Sequence, residues 1–175
     1  MSSAPILVRI ADLVFRGELV PHVAQSRHAN QRQLYLTKAL LHKLEDPSSA
    51  IASLVGSGIV RAAFSRWTLG QRVYGDPKGG NFFKRLKAPP PEVWEIRITE
   101  PVVQARVFGR FAAPDVFVAT EAHTRGMLGR KGSSSWLAAC GQCVQDWQRL
   151  FPGDQPYSGT TIHHYVTGNC DDFPI

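Results

Sequence analysis

A chain of 175 residues with 43% hydrophobic and 10% aromatic content has room for one domain with a full core and hardly for two, and its composition is not that of a disordered polymer. No run approaches the ~20 apolar residues that span a bilayer, and Met1–Arg9 lacks the basic start and apolar stretch of a secretory signal, so a cytoplasmic location and no membrane partner are expected. The net charge of +6 leaves a polyanion as the natural partner class, while three cysteines, an odd number, argue against a disulfide framework.

In chain order, residues 6–15 are apolar and rich in β-branched side chains, stop at Gly17, and predict a first strand. After the polar stretch 25–31, residues 31–44 place Leu34, Leu40, Leu41 and Leu44 at helical spacing, with Asn30 as N-cap and Asp46-Pro47 as the stop. Ser48 or Ser49 is placed to cap a second helix through Ile51, Leu54 and Val55, which Gly56 and Gly58 interrupt. Residues 59–69 continue helix-like, with Phe64 and Trp67 as core. Residues 74–80 hold three glycines and a proline and read as a loop. Residues 81–87 predict a short basic helical turn, halted by Pro89-Pro-Pro91.

Three alternating runs follow: Val93-Trp-Glu-Ile-Arg-Ile98, Ala105-Arg-Val-Phe-Gly-Arg-Phe111 and residues 116–125. Such alternation predicts an antiparallel meander, with Trp94, Ile96 and Ile98 inward and Glu95 and Arg97 toward solvent. Residues 126–135 form a basic loop carrying Arg130 and Lys131. Residues 136–151 predict a last helix, capped within Ser133–Ser135 and striped by Leu137, Cys140, Val144, Trp147 and Phe151. From Pro152 the chain reads as a polar tail with a strand at 160–166. Strand, helices, strands, helix is an α+β order, predicting one domain over 1–151 and a tail over 152–175.

Charge is unevenly spread. Residues 61–131 hold 13 Lys and Arg against 6 Asp and Glu, a net of +7, whereas 132–175 carry one Arg against four Asp, a net of −3. Cations concentrated on the strand segment are the footprint of a nucleic-acid binder. Cys140-Gly-Gln-Cys143 with His163, His164 and Cys170 offers ligand types for zinc, but Cys140 and Cys143 also fall at helical spacing, where small apolar side chains pack. No metal or other cofactor is expected.

The strand residues resemble those of the RelE/HigB-type toxin superfamily of small ribonucleases. Phe83-Lys-Arg-Leu-Lys87 is similar to the basic turn before that family's second strand, Trp94-Glu-Ile-Arg-Ile98 to its Trp-Glu strand, and Ala105-Arg106-Val107 to the strand after it. Residues 116–120 leading to His123 and Arg125 resemble the fourth strand and its basic turn. The resemblance implies a RelE-like α+β fold and an endoribonuclease that cleaves mRNA, free or ribosome-bound, through attack of the 2′-hydroxyl on the adjacent phosphate. It also implies an antitoxin protein as partner. Arg97 and Arg106 would hold the phosphate, as guanidinium forks suit. His123 would exchange the proton, the role histidine fills near neutrality, and Arg125 would assist the leaving group. Lys84, Arg85, Lys87, Arg110, Arg130 and Lys131 would bind flanking backbone. Glu95 departs from the family, which commonly has a lysine there, and Ala105 stands where an aromatic is usual. These departures favour an alternative: a catalytically inactive RelE-like module, of the sort mobile elements carry, that binds nucleic acid or a host protein complex.

Overall fold

Alternating side chains set the centre of the molecule. In the computed structural model, which describes residues 5–26, 28–75, 80–87, 91–99 and 103–175, strands β4 (Trp94–Ile98), β5 (Ala105–Ala113) and β6 (Val116–Thr124) form the expected antiparallel meander. Residues 76–79 of the expected loop, and Pro89 and Pro90 of the expected stop, lie outside the described residues. Ahead of the meander come α1 (Ile6–Phe15), β1 (Leu19–Pro21), β2 (Gln33–Thr37), α2 (Lys38–Glu45), a π-helical turn at Ile51–Val55, α3 (Ser57–Thr68) and β3 (Phe83–Arg85). After it come α4 (Arg125–Leu128), α5 (Ser134–Leu150) and α6 (Ile162–Tyr165). The six strands make one mixed sheet in the order β1-β2-β6-β5-β4-β3, with β2 parallel to β6 and every other pairing antiparallel. The chain is an α+β protein, and no helix among the described residues is long and apolar enough to cross a membrane.

One face of the sheet meets α2, the π-helical turn and α3 around Phe64, Trp67, Phe83, Trp94, Phe111 and Phe117. The indole of Trp67 donates to the Gln33 carbonyl at 3.0 Å, pinning α3 to β2. The other face carries two smaller clusters. Ile10 and Leu13 of α1 pack there with Trp147 and Phe151, and Trp136, Cys140 and Cys143 of α5 pack on Phe108 and Val93. Because both faces are covered, β5 is buried along all but its last residue.

Several expected elements differ, each for a physical reason. Residues 6–15 are a helix rather than a strand: Ile6, Ile10, Leu13 and Val14 share one helical face, and packing against Ala112 and Val116 outweighs the strand preference of their β-branched members. Residues 33–37 are a strand, because Leu34 and Leu36 alternate inward while Gln33 and Tyr35 point away. The helix begins only at Lys38, capped not by Asn30 but by Thr37, whose Oγ1 accepts from the Leu40 amide at 3.2 Å. The expected basic turn at 81–87 contains β3, paired to β4 with Lys84 opposite Glu95. Residues 160–166 hold the short helix α6 instead of a strand. Nor is the segment from Pro152 a polar tail, since Ile162, Tyr165 and Val166 are wholly buried in the main core.

Gly109 sits at a register shift between β5 and β6. A Cβ there would lie 2.3 Å from the Val118 carbonyl oxygen and 2.6 Å from the Phe117 ring. Gly109→Ala is therefore expected to lower stability by about 1–3 kcal/mol, read as a lower midpoint in urea denaturation; an unchanged midpoint would show that the bulge relaxes freely.

Candidate nucleic-acid interface

Strand register brings the candidate residues together in two rows on the face that α5 also covers. Arg97 on β4 stands opposite Arg106 on β5, which stands opposite His123 on β6. The adjacent row runs Lys84, Glu95, Phe108, Glu121. Trp136, in the first turn of α5, packs edge-on against Phe108 with ring centroids 5.8 Å apart. The helix thus covers the sheet up to that row and leaves Arg97, Lys84, Glu121 and His123 half-buried at its rim. Ser133 fixes this start of α5: its Oγ accepts from the Trp136 amide at 3.3 Å and donates to the Leu128 carbonyl at 2.7 Å.

Glu95 does not face solvent as alternation alone predicts. It is 2% exposed, with Oε1 3.6 Å from Arg97 Nε and 3.7 Å from Arg106 Nε, while Oε2 has no hydrogen-bond partner. Burial pushes its carboxyl above the ordinary range, and the charges of Arg106, Arg97, Lys84 and Lys131 only partly oppose this. Arg106 is 3% exposed and turned inward, donating to the Ala105 carbonyl at 2.8 Å and to Gln104 at 3.3 Å. Arg97 keeps more solvent contact, and its Nε and one terminal nitrogen make no hydrogen bond.

At the far end of the row, His123 Nε2 lies 3.2 Å from Glu121 Oε2, and Lys43 Nζ lies 3.3 Å from the same oxygen. Burial alone would raise the Glu121 carboxyl, but the neighbouring His123 ring and the charge of Lys43 outweigh it and hold the group below its ordinary range. The Nε2–Oε2 contact is short without the alignment of a hydrogen bond, so Glu121 stands beside the ring as a neighbouring carboxylate. Glu121 and Lys43 belong to this site without having been singled out from sequence. The spacing of Glu121 and His123, two residues apart on a strand, was the available signal.

Four of the expected backbone-binding residues, Lys84, Arg85, Lys87 and Lys131, line one open groove of about 790 Å³ along β3, whose opposite wall is the segment 171–175. Burial, and after it the charges of Lys131 and Arg97, hold the Lys84 ammonium below its ordinary pKa. Arg85 faces this groove but donates to Glu92 and to the Gly159 carbonyl. Arg130 is exposed on the same connection as Lys131 without lining the groove. Arg125 lies over the Trp136 ring at 5.4 Å and donates to the Gly129 carbonyl, closing the turn after α4.

Arg110 is a correction. It is 4% exposed beneath α5, lies 5.8 Å from the centre of the Trp147 ring and donates to the Pro91 carbonyl at 2.9 Å, so it is no surface for a nucleic acid. Cys140 and Cys143 pack between α5 and the sheet, with burial pushing the Cys143 thiol up to about 12. Cys170 pairs across a bridge with Val73 in a different cluster. Among the described residues no three His, Cys, Asp or Glu side chains gather to hold a metal ion.

No protein-family model, curated protein or solved structure matches the chain.

Proposed function

We propose that the chain is a RelE/HigB-type endoribonuclease, with an RNA strand laid along the β3 groove and across the rim of the sheet, and with an antitoxin protein as its neutralising partner. The observation that carries this reading is the row in which His123, with the Glu121 carboxylate 3.2 Å from its Nε2, shares one sheet face with Arg97. Strands lie about 4.8 Å apart, so the row spans roughly 10 Å. His123 takes the proton of the 2′-hydroxyl, and the freed oxygen attacks the adjacent phosphorus. Arg97 faces the charge that develops on the phosphate, and the Glu121 carboxylate stands beside the imidazole. The bond to the 5′ oxygen then breaks, leaving a 2′,3′-cyclic phosphate. Among the described residues the row supplies no second acid, so the departing oxygen takes its proton from water.

Glu95 favours a second reading. A buried carboxyl facing both arginines reduces the positive charge offered to a phosphate, and a module that binds RNA without cutting it uses the same groove. One experiment separates the two. End-labelled RNA, free and ribosome-bound, is incubated with the protein, and both cleavage and affinity are followed against salt. Cyclic-phosphate ends support the ribonuclease; salt-dependent binding without cleavage leaves the binding module; no binding removes both. In either reading, changing Lys84 and Lys131 together to glutamine is expected to weaken binding across all sequences and to flatten the slope of log K against log salt by about 2.

A further inference from the structure

β3 closes one side of the sheet, and its ladder to β4 fixes what its outer edge offers. The Arg97 amide donates to the Phe82 carbonyl and the Leu86 amide to the Val93 carbonyl, both at 2.8 Å. With Lys84 opposite Glu95, the main-chain bonds to β4 fall on Phe82, Lys84 and Leu86. Antiparallel alternation turns the N–H and C=O groups of Phe83 and Arg85 the other way, out of the sheet. Among the described residues no main-chain partner meets those groups. The opposite edge differs. There the bonds to β2 run through Glu18 and His22, so the outward residues of β1 are Leu19 and Pro21, and a proline has no N–H to offer an incoming strand.

The β3 edge opens into the groove of about 790 Å³. Neighbouring strand residues point to opposite sheet faces, and both Lys84 and Arg85 line the groove, so it runs along the edge itself. Its far wall is fixed. Asp171 accepts from Arg72 at 2.8 and 3.0 Å and from the Gly75 amide at 3.2 Å, and Phe173 is buried in the main core. Asp172 is turned toward His163, with 3.7 Å between Oδ1 and Nε2. Lys84, Lys87 and Lys131 bring three ammonium groups to the same groove. Donors and acceptors in alternation match a polypeptide backbone, whereas a phosphate chain uses the donors alone. Lysine on an edge strand discourages neutral chains, and it favours an acidic side chain directly across.

We propose that the β3 edge is a strand-addition site for an extended acidic segment of a partner protein, which pairs antiparallel to β3 and shuts RNA out of the groove. The docking rests on the edge; the exclusion of RNA rests on the RNA-binding reading. In this pairing the partner residue opposite Lys84 carries the acid, and its neighbours, opposite Phe83 and Arg85, exchange main-chain bonds with β3. The probe is a fluorescein-labelled peptide of alternating glutamate and valine, titrated against the full chain by anisotropy, with an alternating lysine and valine peptide as control. The acidic peptide is expected to bind and the basic one not. N-methylation of the valine amides, which face β3, should weaken binding about tenfold, whereas N-methylation of the glutamate amides should leave it nearly unchanged. Lys84→Gln combined with Lys131→Gln should weaken the unmethylated peptide. Equal affinity for the acidic and basic peptides overturns the site, as does an equal effect of the two methylations. A loss confined to the glutamate amides overturns the antiparallel pairing. Labelled RNA should be released as unlabelled acidic peptide is added; RNA that stays bound beside the peptide overturns the exclusion. A chain that binds the peptide and never binds RNA overturns the RNA reading and leaves the docking site standing.

Discussion

Replacing His123 with alanine is expected to slow RNA cleavage by about 10²–10⁴-fold, the range a positioned general base contributes, while RNA affinity stays nearly the same. The two effects separate because the groove cations that attract the backbone stand on β3 and on the connection before α5, away from β6. Glu121→Gln should act through the ring rather than on the substrate. It leaves an amide in place of the carboxylate 3.2 Å from His123 Nε2, so kcat should fall by less than in His123→Ala while KM stays nearly the same. A Glu121 that only supports the fold would instead lower the urea midpoint together with the rate. Cleavage by His123→Ala at the wild-type rate would remove the imidazole from the mechanism. Wild-type protein that binds RNA and never cuts it would leave Glu95 as the decisive residue, with the sheet face serving as a binding surface alone.

The central meander was legible because Trp94, Ile96 and Ile98 repeat at the strand period and have few other ways to be buried together. The helix α5 was legible because Cys140, Val144 and Trp147 repeat at the helical one. Residues 6–15 were not, since ten nearly continuous apolar residues satisfy either period and only the partner surface around Trp147 decides. β2 was hidden because Leu34 keeps helical spacing with leucines that belong to α2. The site was partly legible. Arginines at 97 and 106 and a histidine at 123 are visible as residue types, but their alignment into one row depends on register across three strands, which no local pattern encodes. Glu95 is the clearest failure. Its polar phase predicts solvent, and only the arrival of α5 over Phe108 turns that phase into an interior. The same covering helix removes Arg110 from the surface. Both cases show that two-sided burial of a central strand has to be read from the helix that comes later in the chain.

Glu92→Ala is expected to destabilise the fold by about 3–5 kcal/mol, as loss of one partner from a buried charged network does. Glu92 is 3% exposed and accepts hydrogen bonds from four side chains: Arg85 Nη2, Ser158 Oγ at 3.2 Å, Trp94 Nε1 at 3.2 Å and the Tyr165 hydroxyl at 2.7 Å. It thereby fastens β3 and β4 to the segment after Pro152, which also joins the core through Ile162, Tyr165, Val166 and Phe173 and through main-chain bonds to Phe111, Asp115 and Val73. Alanine leaves the Arg85 charge, an indole N–H and a buried hydroxyl short of an acceptor at once. The backbone at Glu92 has a φ of 69°, so Glu92→Gly relieves the left-handed strain and should lose somewhat less than alanine; matching losses would mean that the side-chain network alone sets the effect. Alkaline pH probes the same network. Burial first, and then the bond to Glu92, push the Tyr165 hydroxyl up from 10.0 to about 12. The folded state therefore holds this proton more tightly than the unfolded chain. The contribution is complete below about pH 10 and declines as pH rises toward the folded value. Wild-type urea midpoints should fall over that window, and Glu92→Ala should show a shallower fall from a lower starting point. A Glu92→Ala protein as stable as wild type at pH 7 would mean that the C-terminal segment is held by its apolar side chains and main-chain bonds without the carboxylate.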